Sequence, residues 1–464
     1  MRRPPSAGQK TLHTAWPLAA IGALSLLAGN PLAPPASTTP PPSAASVGSQ
    51  TAAGPSPGAP APLVAKDQAV TWWFAFKFNA PTAPDMATTP RLCPFGGSPS
   101  PYGQFSQHFV YASNLSPTLQ DGTGLIGTGA NDPLGATFDQ VFNGTYHYLV
   151  WNDQFKGAPA VAGCATDCSA PWGHSKGFLA WNDAGSGVVV QVTTPSWPGS
   201  GNAAHPRVGD GNTLGCVKDN DVEFSQHFFA LALTHDDLLK VLKALANASV
   251  VTDPTNPQLA NNGGPADVQA LVTALGRKSA SATATVDQLS SGVTLISKPS
   301  NLNVPPWQLV SAELAGLPLR AATWWATPEI YTTDAAKSFD GSQPSDCWSS
   351  LLPKPGNVAI AATGTWNNKP IGLMGQGGNY AIVDASLKAS AVGYNHAKVG
   401  VSLDPAHPYA IFGDMNQQGA LSGKCDSSQN GRGGLFYVVS DAKLSASVGE
   451  LIAGKTAPDA LPAR

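Results

Sequence analysis

The sequence predicts an α/β protein made of two related halves that share one site, and three observations predict it. Aromatic and β-branched runs alternate with amphipathic stretches of helical period between residues 66 and 453, the pattern of layered α/β architecture. Gly 48 and Pro 42, beside only 12% charged residues, mark many turns and long loops. Two short elements, WGHSKG (172–177) and YNHAKVG (394–400), each set a histidine two residues before a lysine and ahead of an apolar run. Their histidines lie 222 positions apart, about half the folded length, which is the spacing a duplicated unit gives. A chain of 464 residues also exceeds the roughly 250 to 300 at which a single core stops growing.

Taken in order, the chain opens with Arg2, Arg3 and Lys10, then an apolar run (16–29), then small residues and prolines. That order matches a secretory signal over residues 1–30, and the run is shorter than the roughly 20 residues a spanning helix needs. Residues 31–66 hold almost nothing that can be buried and read as a Pro/Ala/Ser-rich linker. The first half is expected over 67–300, the second over 301–453, and a short tail over 454–464. VTWWFAFKF (70–78) reads as a strand, with further strands at 107–112, 146–151, 177–181, 187–193 and 227–233. Thr234 can cap a helix that places Leu238, Val241, Leu242 and Leu245 on one face, and PADVQALVTAL (265–275) reads as a second helix, opened by proline. Strands are expected within 304–326 and 358–373 and at 398–403, 409–412 and 435–439. The pentapeptide FSQHF occurs twice, at 105–109 and 224–228, with an offset of 119 that does not match the duplication.

Six cysteines behind a leader-like start favour disulfides, though six allow fifteen pairings. Zinc is not expected, because no second ligand pair stands at the right spacing from Cys164 and Cys168. The formal charge is −3; without the leader it becomes −6, and protonating the remaining eight histidines brings it to +2. A chain that is acidic at neutral pH thus turns cationic near pH 5, which suits a polyanion. Of the adjacent tryptophan pairs Trp72/Trp73 and Trp324/Trp325, packing is the expected role and base stacking the alternative.

On a strand, residues i and i+2 share a face, so His174 with Lys176, and His396 with Lys398, each present an imidazole beside an ammonium. Lysine can neutralise phosphate oxygens, while imidazole can attack phosphorus or protonate a leaving oxygen. Two cations nearby lower both histidine pKa values, so a pair sharing one proton is most populated below neutral pH, and a maximum near about pH 5 is expected.

Several segments then carry a resemblance: WWFAFKF (72–78), YLVWNDQ (148–154), GHSKG (173–177), SQHFFALAL (225–233), NHAK (395–398), FGDMN (412–416) and GRGG (431–434). Their order resembles the deoxyribonuclease II family over nearly the whole folded chain. The resemblance implies a phospholipase D-like fold, two pseudo-symmetric α/β halves with mixed central sheets sharing one active site. It also implies an endonuclease that needs no cofactor or metal, acts on DNA through a phosphohistidine, and leaves 3′-phosphate and 5′-hydroxyl ends. Carried onto this chain, His174 and His396 divide the nucleophile and acid/base roles in an order left open, and Lys176 and Lys398 hold phosphate oxygens. Asn416 matches a phosphate-side asparagine, and Asp414 is expected to orient a histidine. The chain departs from the family pattern at Asn182, where an aspartate is usual and Asp183 stands next to it. It departs again at Thr193, in the place of a serine, and at Gln417, in the place of an arginine. The expected compartment is secreted or periplasmic, lysosomal in a eukaryote, with no membrane contact beyond the leader. Two other readings stay open: a lipid-cleaving phosphodiesterase of the same superfamily, and a non-catalytic secreted polyanion binder.

Overall fold

The run WWFAFK forms a strand, β1 (Trp72–Lys77), buried along its whole length, and its period of two sorts its side chains between two cores. Trp72, Phe74 and Phe76 enter one cluster, Trp73 and Ala75 another. The computed structural model describes residues 55–86, 92–98, 104–161, 163–164, 168–207, 214, 216, 221–325, 347–348, 351–375, 395–417, 425–426 and 429–457. The leader expected at 1–30 lies outside them, and no helix among the described residues is long and apolar enough to cross a membrane.

Seven further strands join β1: β2 (Phe109–Ser113), β3 (Ser116–Asp121), β4 (His147–Asn152), β5 (Lys176–Trp181), β6 (Gly187–Val192), β7 (Gln226–Leu233) and β8 (Ala260–Asn261). Their order is β8-β4-β5-β6-β7-β1-β2-β3, antiparallel at every step. The second sheet holds β9 (Thr285–Gln288), β10 (Thr294–Lys298), β11 (Leu319–Ala322), β12 (Val358–Ile360), β13 (Val399–Ser402), β14 (Tyr409–Gly413) and β15 (Gly434–Ser440). Here the order is β9-β10-β15-β14-β13-β11-β12; only β11 and β12 run parallel, so this sheet is mixed while the first is not.

The sheets meet face to face. Phe412 of β14 stacks on Phe74 at 4.3 Å and on Phe229 at 4.8 Å between ring centroids. Helices α2 (His235–Asn247) and α5 (Ala442–Leu451) feed Leu238, Leu242, Leu444 and Val448 into the same core. Ahead of them in the chain, α1 (Pro133–Phe142) covers the outer face of the first sheet; between them, α3 (Ala266–Thr273) packs beside α2 and α4 (Pro306–Glu313) covers the outer face of the second sheet. Helix α2 starts where the sequence places it: Thr234 and Asp237 form a capping box. Replacing Thr234 by alanine is expected to lower stability by about 1 kcal/mol, measurable by denaturant unfolding.

Four sequence expectations move. The linker does not run unbroken to residue 66: Ala61 exchanges hydrogen bonds with the Gln140 side chain, Leu63 does so with Thr137, and Leu63–Ala65 pairs with Gln68–Ala69. Strands β9 and β10 precede residue 300 yet belong to the second sheet, so the sheets divide between Thr273 and Thr285. Within 304–326 the chain first forms α4, entered through Pro306, and only then a strand. The tail is partly fixed, since Ala362 donates to the Lys455 carbonyl and Ala361 bridges Thr456. The six cysteines pair as Cys93–Cys216, Cys164–Cys168 and Cys347–Cys425.

Candidate active site

Lys176 opens β5 and Lys398 immediately precedes β13, so each His-x-Lys element sits at the mouth of a central strand, with its histidine just outside the sheet. The two histidines are held crosswise. His174 N–H donates to Gly433 O and His396 N–H to Ser225 O, both at 2.8 Å, so each histidine backbone hangs from the other sheet's entry loop. A cleft of about 470 Å3 opens between them, lined by both histidines, Lys398 and Asn416, together with Lys156, Gln429 and Arg432.

The two rings are anchored differently. His174 Nδ1 lies 2.7 Å from the Asp414 carbonyl. His396 Nδ1 lies 3.2 Å from the Gln226 amide nitrogen and 3.9 Å from Asp221 Oδ1, and Phe224 stacks on the ring at 4.1 Å. Gln226 is itself held by Thr193, whose hydroxyl stands 2.9 Å from Gln226 Oε1 and accepts from the His227 amide at 2.8 Å. Behind Lys398, a buried relay joins the sheets: the Lys398 N–H donates to His227 Nδ1, His227 Nε2 faces Gln191 Oε1, and Gln191 donates to the Leu435 carbonyl.

The lysines are not equivalent. Lys398 faces the cleft, whereas Lys176 Nζ is bound to Asp153 Oδ1 at 2.7 Å, and Asp153 Oδ2 takes Arg432 at 2.6 Å. Arg432 also donates to the carbonyls of Trp172 and Gly173, fastening the loop that leads into His174. Arg432 therefore brings a further cation to the cleft, while Gln417 bonds Gln308 and the Trp307 amide.

Charge and burial set the protonation states. Burial, then Lys176 and Lys398, hold His174 well below the ordinary histidine range, with Asp153 opposing; burial, Lys398 and Lys176 do the same to His396. Burial and the neighbouring Lys176 also push Lys398 well down. Burial alone would raise Asp153, but Lys176, Arg432 and His174 around it leave its carboxyl well below the usual range. Asp414 goes the other way: burial pushes it up to about 7, against the pull of Ser175 and the Leu435 amide.

Asp414 thus meets His174 through its main-chain carbonyl, while its carboxylate accepts the Leu435 N–H at 3.0 Å. Asn182 and Asp183 lie elsewhere. Asn182 caps the β5–β6 turn, accepting from the amides of Ala184 and Ser186, and exposed Asp183 pairs with His147. The strand separates them from Lys176 by roughly 20 Å at about 3.3 Å per residue. An eight-residue spacing from His174 carries the chain to the far end of β5, which is why neither reaches the cleft; Asp183→Ala is expected to leave any activity of the cleft unchanged within about twofold. Thr193 is joined to the cleft through Gln226, beside His396 rather than His174.

Asp153, Arg432, Gln226 and His227 were not assigned from the sequence, although YLVWNDQ, GRGG and the second FSQHF contain them. The first FSQHF flanks the opposite edge of β1, so the repeat brackets one strand. Of the four paired tryptophans, Trp324 lines the cleft; Trp72, Trp73 and Trp325 are buried. Among the described residues no three His, Cys, Asp or Glu side chains gather as a metal set.

No curated protein matches the chain. The family model for deoxyribonuclease II matches residues 62–340, which takes in the first sheet, His174 with Lys176, and the Ser225–Gln226 loop that holds His396. That match spans more than half of a chain whose two sheets converge on paired histidines and lysines: the protein belongs to the deoxyribonuclease II family and is a deoxyribonuclease.

Proposed function

We propose that the protein is a secreted, metal-independent acid endonuclease in which His174 attacks phosphorus and His396 is the general acid. The observation that carries this division is the unlike anchoring of the two rings. A carbonyl can only accept, so the His174 nitrogen facing Asp414 carries the proton and Nε2 keeps a free lone pair for attack. With Thr193 donating to Gln226 Oε1, the amide turns its NH2 toward His396 Nδ1, which accepts, and the proton of that ring stands on Nε2. Asp221, 3.9 Å from the same Nδ1, can balance a second proton there when the ring becomes cationic.

Attack by His174 Nε2 forms a P–N bond as the P–O5′ bond breaks, with the His396 proton passing to O5′. His396 then takes a proton from water as water displaces His174, leaving a 3′-phosphate and a 5′-hydroxyl. Lys398, Asn416 and Arg432 border the space the phosphate would fill and supply the charge and donors its oxygens need. The three disulfides and the leader-like start support an oxidising compartment.

The sign of the pH dependence follows from the lowered histidine values. Near pH 7 both rings are neutral and the acid is missing; as the pH falls, one ring gains a proton and the rate rises; further acid protonates the nucleophile and the rate drops. Plasmid cleavage is therefore expected to peak near about pH 5 and to persist in EDTA. Loss of activity on chelation, a maximum above neutrality, or preferential turnover of phosphatidylcholine would overturn the reading.

A further inference from the structure

Two lysines outside the expected site are completely buried: Lys77, the last residue of β1, and Lys298, the last residue of β10. Lys77 Nζ donates to the carbonyls of Phe78 at 3.1 Å, Ser106 at 2.8 Å and Val222 at 3.1 Å. Lys298 Nζ donates to those of Pro299 at 3.3 Å, Asn430 at 2.7 Å and Arg432 at 2.7 Å. Each therefore binds the residue that follows it and then reaches into a cleft loop. Lys77 precedes His174 by 97 residues and Lys298 precedes His396 by 98, so the two lysines occupy matching places in the two halves.

The loops they reach are the ones that hold the histidines. Val222 lies three residues before Ser225, whose carbonyl accepts the His396 N–H; Asn430 lies three before Gly433, whose carbonyl accepts the His174 N–H. A buried ammonium is a costly occupant of a core, tolerated when its donors are all used. Here three donors meet three carbonyls in both halves.

We propose that Lys77 and Lys298 are a matched pair of positioning residues for phosphodiester cleavage, each pinning the loop from which the opposite half's catalytic histidine hangs. The proposal rests on the reading of His174 and His396 as the reacting groups. Burial brings both ammonium groups down to about 7; around Lys77 it is opposed by Asp221, Asp85 and Glu223, whereas Lys298 faces backbone carbonyls. Asp221 lies on the same loop and also faces His396. In acid each lysine keeps three protons for its three acceptors; above neutrality the amine keeps two, and the pin loosens.

Lys77→Met and Lys298→Met, made singly in the full chain, are to be compared with the unaltered protein and His396→Ala on plasmid DNA at pH 5. The expected result is kcat lower by about 10- to 100-fold with KM within about twofold, since the phosphate-binding side chains remain while the reacting geometry is lost. Folded variants with unchanged kcat, or with kcat and KM altered alike, overturn the proposal. Should a variant fail to fold, hydrogen exchange of the unaltered protein decides. Residues 222–226 and 430–434 are expected to lose protection at pH 8 relative to pH 5 after correction for intrinsic rates, and equal protection overturns the pinning. If the unaltered protein does not cleave, or His396→Ala cleaves equally well, the reading of the histidines fails, and the exchange measurement judges the pinning by itself.

Discussion

His396→Ala is expected to cut kcat on DNA by about 10²- to 10⁴-fold, the usual worth of a positioned general acid, and His174→Ala by more, since removal of a nucleophile has cost about 10⁶ in comparable enzymes. A substrate with sulfur in place of the 5′-bridging oxygen separates the two roles. A thiolate leaves without a proton, so His396→Ala should recover most of its first-step rate on that substrate, while His174→Ala should gain nothing. The recovered reaction should also stall, because in the proposed mechanism it is His396 that activates water. The strand bearing the 3′-phosphate should then remain attached to His174 through an acid-labile P–N bond, visible as a labelled protein band that survives alkali. Rescue of His174→Ala, or label on His396, would reverse the assignment made from the ring anchors.

Asp153→Asn carries the largest expected loss of stability. One buried carboxylate bridges Lys176 of the first half and Arg432 of the second, at 2.7 and 2.6 Å. Neutralising it leaves two buried cations facing each other, at a cost of roughly 3 to 5 kcal/mol, measurable as a lower denaturation midpoint. The pH dependence has a definite sign. A carboxyl held below its ordinary value contributes stability above the unfolded pKa of about 3.9 and loses it only as the pH falls through the lower folded value. The difference between the two proteins should thus stay level from neutrality to pH 5 and shrink below about pH 4. A difference that vanished at pH 5 would mean that the bridge is absent under the proposed working conditions.

Elements with strong periodicity or a distinct cap were legible in the sequence. WWFAFK, the strands on either side of the first His-x-Lys element, and the Thr234 helix are where the pattern puts them, since local propensity and burial agree there. Helix α1 was not anticipated. Its start is a good one, Asp132 accepting from the Gly135 amide ahead of Pro133, but the surrounding Gly, Pro and Asn residues hide a ten-residue helix in what reads as loop. Around the cleft, the two His-x-Lys elements are visible in the sequence because they are a local pattern. Their partners are not, because Asp153, Gln226 and Arg432 come from other loops and strand ends and are brought in by sheet packing. Asn182 shows the converse: a fixed offset from His174 along the chain does not amount to nearness, because a straight strand carries it away.

The crossed suspension of the histidines bears on how the site is assembled. Either half alone would contain a histidine but not the carbonyl from which it hangs, so a fragment is expected to be inert however well it folds. In a dimer of single halves the same exchange would make activity depend on dilution. The segment between Asn261 and Thr285 instead makes that encounter intramolecular, at the millimolar effective concentration typical of a short tether. This covalent pairing keeps each molecule competent by itself at any dilution.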